Sequence, residues 1–156
     1  MAEEIRLEIT LMSDATFGRG DGVAGLIDAE VEHDEYGLPF MRGRTIKGLL
    51  VEECANLLYA LGKSSSVEAQ AALGILSKTA SSLFGNAGST ADAMGRLKVG
   101  AATLPEKFRD AIANGINHKR LQKEEVLASL TGIRRQTAVN IETGAPLKNS
   151  LRSMRV

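Results

Sequence analysis

An α+β fold follows from two kinds of periodicity in this chain. Residues 4–12 and 26–34 alternate apolar and polar side chains, the period of a half-buried strand. Residues 45–61 and 67–83 repeat apolar side chains at helical spacing. The mixture continues with a strand over 95–104, helices over 106–114 and 121–130, and a β-hairpin over 135–155. At 156 residues this is a single domain, long enough to bury a core.

The first strand sets Ile5, Leu7, Ile9 and Leu11 on one face against Arg6, Glu8 and Thr10 on the other. Four glycines within residues 18–25 then mark a loop with positive φ angles or close backbone approach. Gly18, Arg19 and Gly20 open it, and the backbone N–H groups of such a loop can cradle phosphate. In the second strand Ile27, Ala29 and Val31 face one way, and Asp28, Glu30, Glu32 and Asp34 face the other. Same-face neighbours lie about 7 Å apart, so this acidic row repels itself. Water, a basic partner or divalent cations must relieve it. Two roles stay open: a solvated edge strand whose charges block aggregation, or a row in which one acid does chemistry. His33 lies on the apolar side and reads as structural.

The turn Gly37–Gly43 runs straight into the helix over 45–61, whose apolar face passes through Ile46, Leu50, Leu57 and Leu61. Thr45 stands where a hydroxyl caps a helix. Arg42, Arg44 and Lys47 crowd the same end, although a helix N-terminus is already partly positive and favours acids. An anion resolves the conflict: free N–H groups, a partial positive charge and three cations form a phosphate seat. The plain alternative is a solvated helix start with accidental charges. The residue order fits no Walker loop. Gly48 costs a helix interior about 1 kcal/mol relative to Ala, and it suits close approach of another backbone.

After the Gly62–Ser66 linker comes an Ala-rich helix over 67–83, then a loop over 84–90. Over 95–104, Leu97, Val99 and Ala101 alternate with Arg96, Lys98 and Gly100. Pro105 opens the next helix and Gly115 is its expected stop; Gly132 ends the fourth. In the final hairpin, Val139 and Ile141 precede a turn at 142–145. Arg134, Arg135, Lys148, Arg152 and Arg155 are able to track a phosphate chain, with Thr137, Val139 and Leu147 beside the bases. The plain alternative is a basic hairpin packed on an acidic protein surface. The extended arm at Val156 gives a domain that reads as a fragment or as one finished by a partner.

Charge is balanced overall, with 19 basic and 19 acidic side chains, so no global field holds nucleic acid. The distribution is uneven. Residues 1–60 hold 5 basic against 12 acidic side chains, and residues 118–156 hold 8 against 3. A basic end on a neutral chain points to contact with a polyanion or an acidic neighbour. The lone Cys54, on the apolar helix face, cannot form an internal disulfide and reads as a core residue. With no leader or long apolar run, the expected setting is the cytoplasm, away from any membrane.

Several motifs fall in a characteristic order. Gly25-Leu26-Ile27-Asp28-Ala29-Glu30-Val31 follows the glycine loop, and the run from Asp34 to Gly48 contains Gly37, Pro39, Gly43, Lys47 and Gly48. Later come Leu83-Phe84-Gly85, Gly95-Arg96-Leu97-Lys98-Val99, and the turn from Ile141 to Ala145. Over nearly its whole length the chain resembles the RAMP superfamily, the backbone subunits of type III CRISPR effector complexes. The wording around Ser13-Asp14 and Gly43-Arg44-Thr45 leans toward the type III-D branch. Arg42 departs from the Pro usual before Gly43, and the family's final strands are missing after Val156.

The resemblance implies a ferredoxin-like (RRM-like) core with helical insertions and a terminal hairpin thumb, packed along a CRISPR guide RNA and its target RNA beside other effector subunits. The RNA-binding residues it implies are Gly18, Arg19, Gly20, Arg42, Arg44, Thr45, Lys47, Gly48, Arg134, Arg135, Lys148 and Arg152. Asp28 aligns with the family's catalytic and metal-binding aspartate, which cuts target RNA with Mg²⁺ or another divalent metal. Three functions follow: a cutting backbone subunit, the same scaffold as a non-catalytic guide-binding or capping subunit, and, far behind, a small-molecule phosphate-binding enzyme.

Overall fold

The computed structural model describes residues 3–22, 27–86 and 93–156. Four helices and one two-stranded antiparallel sheet make up its regular elements, an α+β architecture. In chain order these are α1 (Gly43–Lys63), α2 (Val67–Phe84), α3 (Glu106–Asn117), α4 (Lys123–Leu130), β1 (Ile133–Gln136) and β2 (Arg152–Arg155). Contacts cluster in two compact units. One holds residues 1–41 and 102–156, and the other holds residues 42–101.

In the first unit, β2 is bonded along both edges. On one side it pairs with β1, Ile133 opposite Arg155 and Gln136 opposite Arg152. On the other it meets the acidic segment: Asp28 N–H donates to Ser153 O at 2.7 Å, and Arg155 N–H donates to Ala29 O at 3.0 Å. The acidic segment in turn pairs antiparallel with the glycine-rich stretch, where Arg19 N–H donates to Glu30 O and Glu30 N–H donates to Asp21 O. Further on it bonds residues 38–40, through Asp34 N–H to Leu38 O and Phe40 N–H to Glu32 O. Ile27, Val31, Leu38 and Met41 form the buried core along this path, with Val126 from α4.

The acidic row is therefore not a solvated edge strand, which corrects that expectation. Glu30 and Glu32 are buried at 4% and 8% exposure. The repulsion is relieved residue by residue. The Glu30 carboxylate accepts from Arg155 Nε at 2.7 Å and from Val31 N–H at 2.9 Å. Asp34 closes a turn by accepting from the N–H groups of Tyr36 and Leu38, and it stands 3.5 Å from the Arg109 guanidinium. The Asp28 carboxylate accepts from Ser153 N–H at 2.7 Å. A basic partner was among the remedies the sequence demanded, and it comes from the chain's own end.

Two expected strands lack ladders among the described residues. Residues 4–11 form no regular element and are exposed, with Ile5 at 76% and Leu7 at 73%. Only Ile9 and Leu11 reach apolar company, where they line a cleft of about 160 Å³ with Phe17, Phe40 and Met41. Residues 95–100 keep the alternation, with Leu97 and Val99 half-buried and Arg96 and Lys98 exposed, but form no ladder. Alternation fixes which face of a segment is apolar; a ladder also needs a free edge at the right register. In the first unit Ala102 bridges Met41 by two hydrogen bonds of 2.9 Å.

Helix ends also depart from expectation. Gly115 does not stop α3; it is buried inside the helix, and a Cβ there would strike the Leu121 side chain. The helix ends instead at Asn117, with His118 as its C-cap, and Lys119, at φ 56°, lets Arg120 N–H return to Gly115 O at 2.9 Å. In the second unit, α2 starts where Ser66 Oγ accepts from Ala69 N–H at 3.1 Å. Helices α1 and α2 pack on each other, and no residue of either is fully buried. Cys54 is half-buried rather than a core residue.

The Arg155–Glu30 pair yields the first prediction. Its side chains are 17% and 5% exposed, so removing one partner strands a buried charge. Arg155→Met should cost roughly 3–5 kcal/mol in urea unfolding, and adding Glu30→Met should recover most of the loss. An Arg155→Met protein as stable as wild type would show that the pair does not hold the C-terminal strand.

Candidate nucleic-acid interface

The residues singled out in the sequence fall into one group in each compact unit. In the first unit, the glycine-rich stretch is less open than a phosphate cradle requires. Gly18 bridges Val31, and Arg19 N–H is already bonded to Glu30 O. Gly22 is needed where backbones close in, since a Cβ there would collide with the carbonyl oxygens of Ile27 and Asp28. The Arg19 guanidinium holds Asp21 through Nε at 2.7 Å and a second nitrogen at 3.2 Å. The hydrogen bond and charge of Asp21 raise the Arg19 pKa. Gly20 remains exposed, with φ at 89°. Residues 23–26, the rest of the expected loop and the start of the expected strand, lie outside the described residues.

Asp28 is exposed, although its neighbours Ile27 and Glu30 are buried. One carboxylate oxygen is fixed by Ser153 N–H, and the backbone N–H groups of Asp28 and Ala29 both donate to Ser153 O. This setting fits a single-carboxylate contribution to a hard divalent cation. Mg²⁺ usually takes one or two protein carboxylates and fills its remaining positions with water and phosphate oxygens, and carboxylates that hold metals are commonly oriented by a second hydrogen bond. Among the described residues, no group of three His, Cys, Asp or Glu is placed to form a closed cage.

The hairpin presents the second set of cations. Arg134, Arg135, Lys148 and Arg152 are all exposed. Cross-strand register puts Arg134 with Met154 and Gln136 with Arg152, so Arg134 and Arg152 share one face of the ribbon and Arg135 lies on the other. Arg155 is the exception and corrects its expected role. It is bound to Glu30, with a further bond of 3.1 Å to Thr131 Oγ1, and it anchors the hairpin rather than tracking phosphate.

In the second unit, α1 begins earlier than the sequence suggested. Arg42 is the N-cap, with extended backbone (φ −63°, ψ 139°), and its carbonyl accepts from the N–H groups of Thr45 and Ile46. Thr45 is therefore inside the first turn, which corrects its expected capping role. The first turn contains no acid. Arg42 and Arg44 are exposed and Lys47 is half-buried. The carbonyls of Val99 and Gly100 press against Gly43, where a Cβ would overlap Val99 O. The helix start is thus covered on that side by the chain's own backbone, a contact that no local sequence signal announced. Gly48 is exposed with nothing within 4 Å of an added Cβ, so its expected close backbone neighbour is not found among the described residues.

The sequence model of the RAMP superfamily matches residues 8–156. The chain belongs to the RAMP superfamily. RAMP proteins bind RNA within CRISPR-associated complexes, beside other subunits. No curated protein matches the chain. Family membership favours RNA over a small-molecule phosphate as the ligand of the chain. No described helix of this RAMP protein is long and apolar enough to cross a membrane.

Gly43 and Gly48 of α1 predict opposite responses. Gly43→Ala forces the Val99 backbone to move and should cost roughly 1–3 kcal/mol, the usual range for overpacking. Gly48→Ala should stabilise the free chain by up to about 1 kcal/mol. Urea melts of the two variants check this, and equal midpoints for both would refute the close packing at the start of α1.

Proposed function

We propose that this RAMP protein is a guide-RNA-binding backbone subunit of a type III effector complex, and that Asp28 assists metal-dependent cutting of the target RNA. The motif wording supports the type III-D branch. The observation that carries the reading is the setting of Asp28: an exposed carboxylate, fixed in orientation by a backbone amide, in a family that binds RNA.

The chain's residues divide the work. The cations at the start of α1 grip guide phosphates, and Arg134, Arg135, Lys148 and Arg152 follow the strand along the hairpin. Asp28 holds its carboxylate toward the scissile step, in which a ribose 2′-oxygen attacks the adjacent phosphorus in line with the departing 5′-oxygen. The 2′-hydroxyl proton leaves toward Asp28, directly or through water, and the 5′-oxygen takes up a proton from solvent. A divalent cation, when bound, stabilises the charge that gathers on the phosphoryl oxygens. Ser153 N–H keeps the Asp28 carboxylate from turning away.

The same hydrogen bond favours a second reading, a non-catalytic guide-binding or capping subunit in which Asp28 only docks β2. Asp28→Asn separates the two, because the amide oxygen still accepts from Ser153 N–H while the charge is lost. In a reconstituted complex with Mg²⁺ and target RNA, the first reading expects cutting to fall about 100-fold or more, with target binding unchanged. Cutting at the wild-type rate would leave the non-catalytic reading. For the phosphate grip, Lys47→Glu should weaken guide binding at moderate salt and flatten its salt dependence. An unaltered affinity and slope would remove Lys47 from the interface.

A further inference from the structure

We infer that residues 4–11 are a docking strand for a second copy of this chain, paired antiparallel about Leu7. The inference does not depend on the RNA-binding reading. The segment carries a full strand alternation in sequence, yet no backbone hydrogen bond joins residues 4–12 to another described residue. A row of unpaired N–H and C=O groups is a ready template for a further strand. Its apolar side is open at one end, where Ile5 and Leu7 are mostly exposed. At the other end Ile9 and Leu11 line the apolar cleft with Phe17, Phe40 and Met41, which seats the segment on the first unit.

Charge selects both the occupant and its register. Ile5, Leu7, Ile9 and Leu11 share one face of a strand, and Glu4, Arg6, Glu8 and Thr10 share the other. Pairing has to match face with face, because a slip of one residue sets apolar against polar. The antiparallel register centred on Leu7 does so. It sets Arg6 opposite the partner's Glu8, and Glu8 opposite the partner's Arg6. On the apolar face it sets Leu7 opposite the partner's Leu7, and the open Ile5 opposite the partner's Ile9, which is seated on its own unit.

The neighbouring registers fail. Centred on Arg6, pairing sets Arg6 against Arg6 and Glu4 against Glu8. Centred on Glu8, it sets Glu8 against Glu8. Registers farther out shorten the paired stretch, and parallel pairing in register sets every charge against its like. Opposite charges across a strand pair stabilise it, and like charges directly opposite destabilise it. Arg6 can turn to the partner, since its ion pair with Glu4, at 3.7 Å, joins side chains that are almost fully exposed and such pairs are weak. A two-fold axis through Leu7 makes the contact isologous, so the assembly closes at two chains.

The test is light scattering and sedimentation of the full chain, treated with nuclease so that RNA cannot bridge copies, from micromolar to millimolar concentration. The mass should rise from 16.6 kDa to twice that value. Arg6→Glu and Glu8→Arg each turn two attractive pairs into repulsive ones, and each should weaken the dimer about tenfold or more. Both side chains are exposed, so neither change disturbs the fold of one chain. The double reversal restores opposite charges and should return the dissociation constant to within about threefold of wild type. Leu7→Cys should give a disulfide-linked dimer on air oxidation, because position 7 faces its own copy at a Cα separation of about 5 Å. Ile5→Cys, about 13 Å from its copy along the strand, and wild type, whose only cysteine is Cys54, should stay unlinked. A chain that remains monomeric throughout overturns the inference. So does a dimer that withstands both single reversals, a double reversal that fails to restore it, or Ile5→Cys linking as readily as Leu7→Cys.

Discussion

The buried ion pair between Arg155 and Glu30 organises the first compact unit. A carboxylate at 5% side-chain exposure is stable there only if a cation and hydrogen bonds replace water. Arg155 supplies the cation from the far end of the chain, and Val31 N–H supplies a further bond. Meeting that demand places β2 against residues 28–29, so β2 is bonded on both edges. Two consequences follow. Asp28 is fixed by Ser153, the residue two before Arg155, and the rest of the hairpin is held out from a strand that cannot drift.

The pair also clarifies the uneven charge of the chain. An acidic first part and a basic last part admitted two explanations, an outside polyanion or an internal neighbour. The internal neighbour is shown for Arg155, and the outside polyanion is our proposal for the exposed cations. Arg155, Arg19 and Arg109 each contact a carboxylate of the same unit. Arg134, Arg135, Lys148 and Arg152 stay exposed. Zero net charge does not weaken such a surface, because salt screens charges beyond about 10 Å and RNA senses the local field.

Much of this was legible in the sequence. Helical periodicity located all four helices, to within three residues at their ends, because spacing of apolar side chains is a local property. Residues 4–12 and 95–104 carried equally clear alternation yet form no ladder among the described residues, since pairing depends on a remote edge. Thr45 and Gly115 had the right chemistry at the wrong register: backbone bonding began α1 at Gly43 and carried α3 past Gly115. The partners of the acidic row were readable only as a need. Nothing near Glu30 in sequence points to Arg155, which lies 125 positions away. The motifs carried the family because their order is preserved even where single residues, such as Arg42, depart from it.

The central claim is that RNA is held by the cations at the start of α1 and along the hairpin. Ultraviolet crosslinking of the full chain to single-stranded RNA, with mass spectrometry of the peptide–nucleotide adducts, tests it most directly. The account predicts adducts within residues 42–48 and within residues 134–152. Adducts confined to α2 and α3, with none in either of those segments, would contradict it.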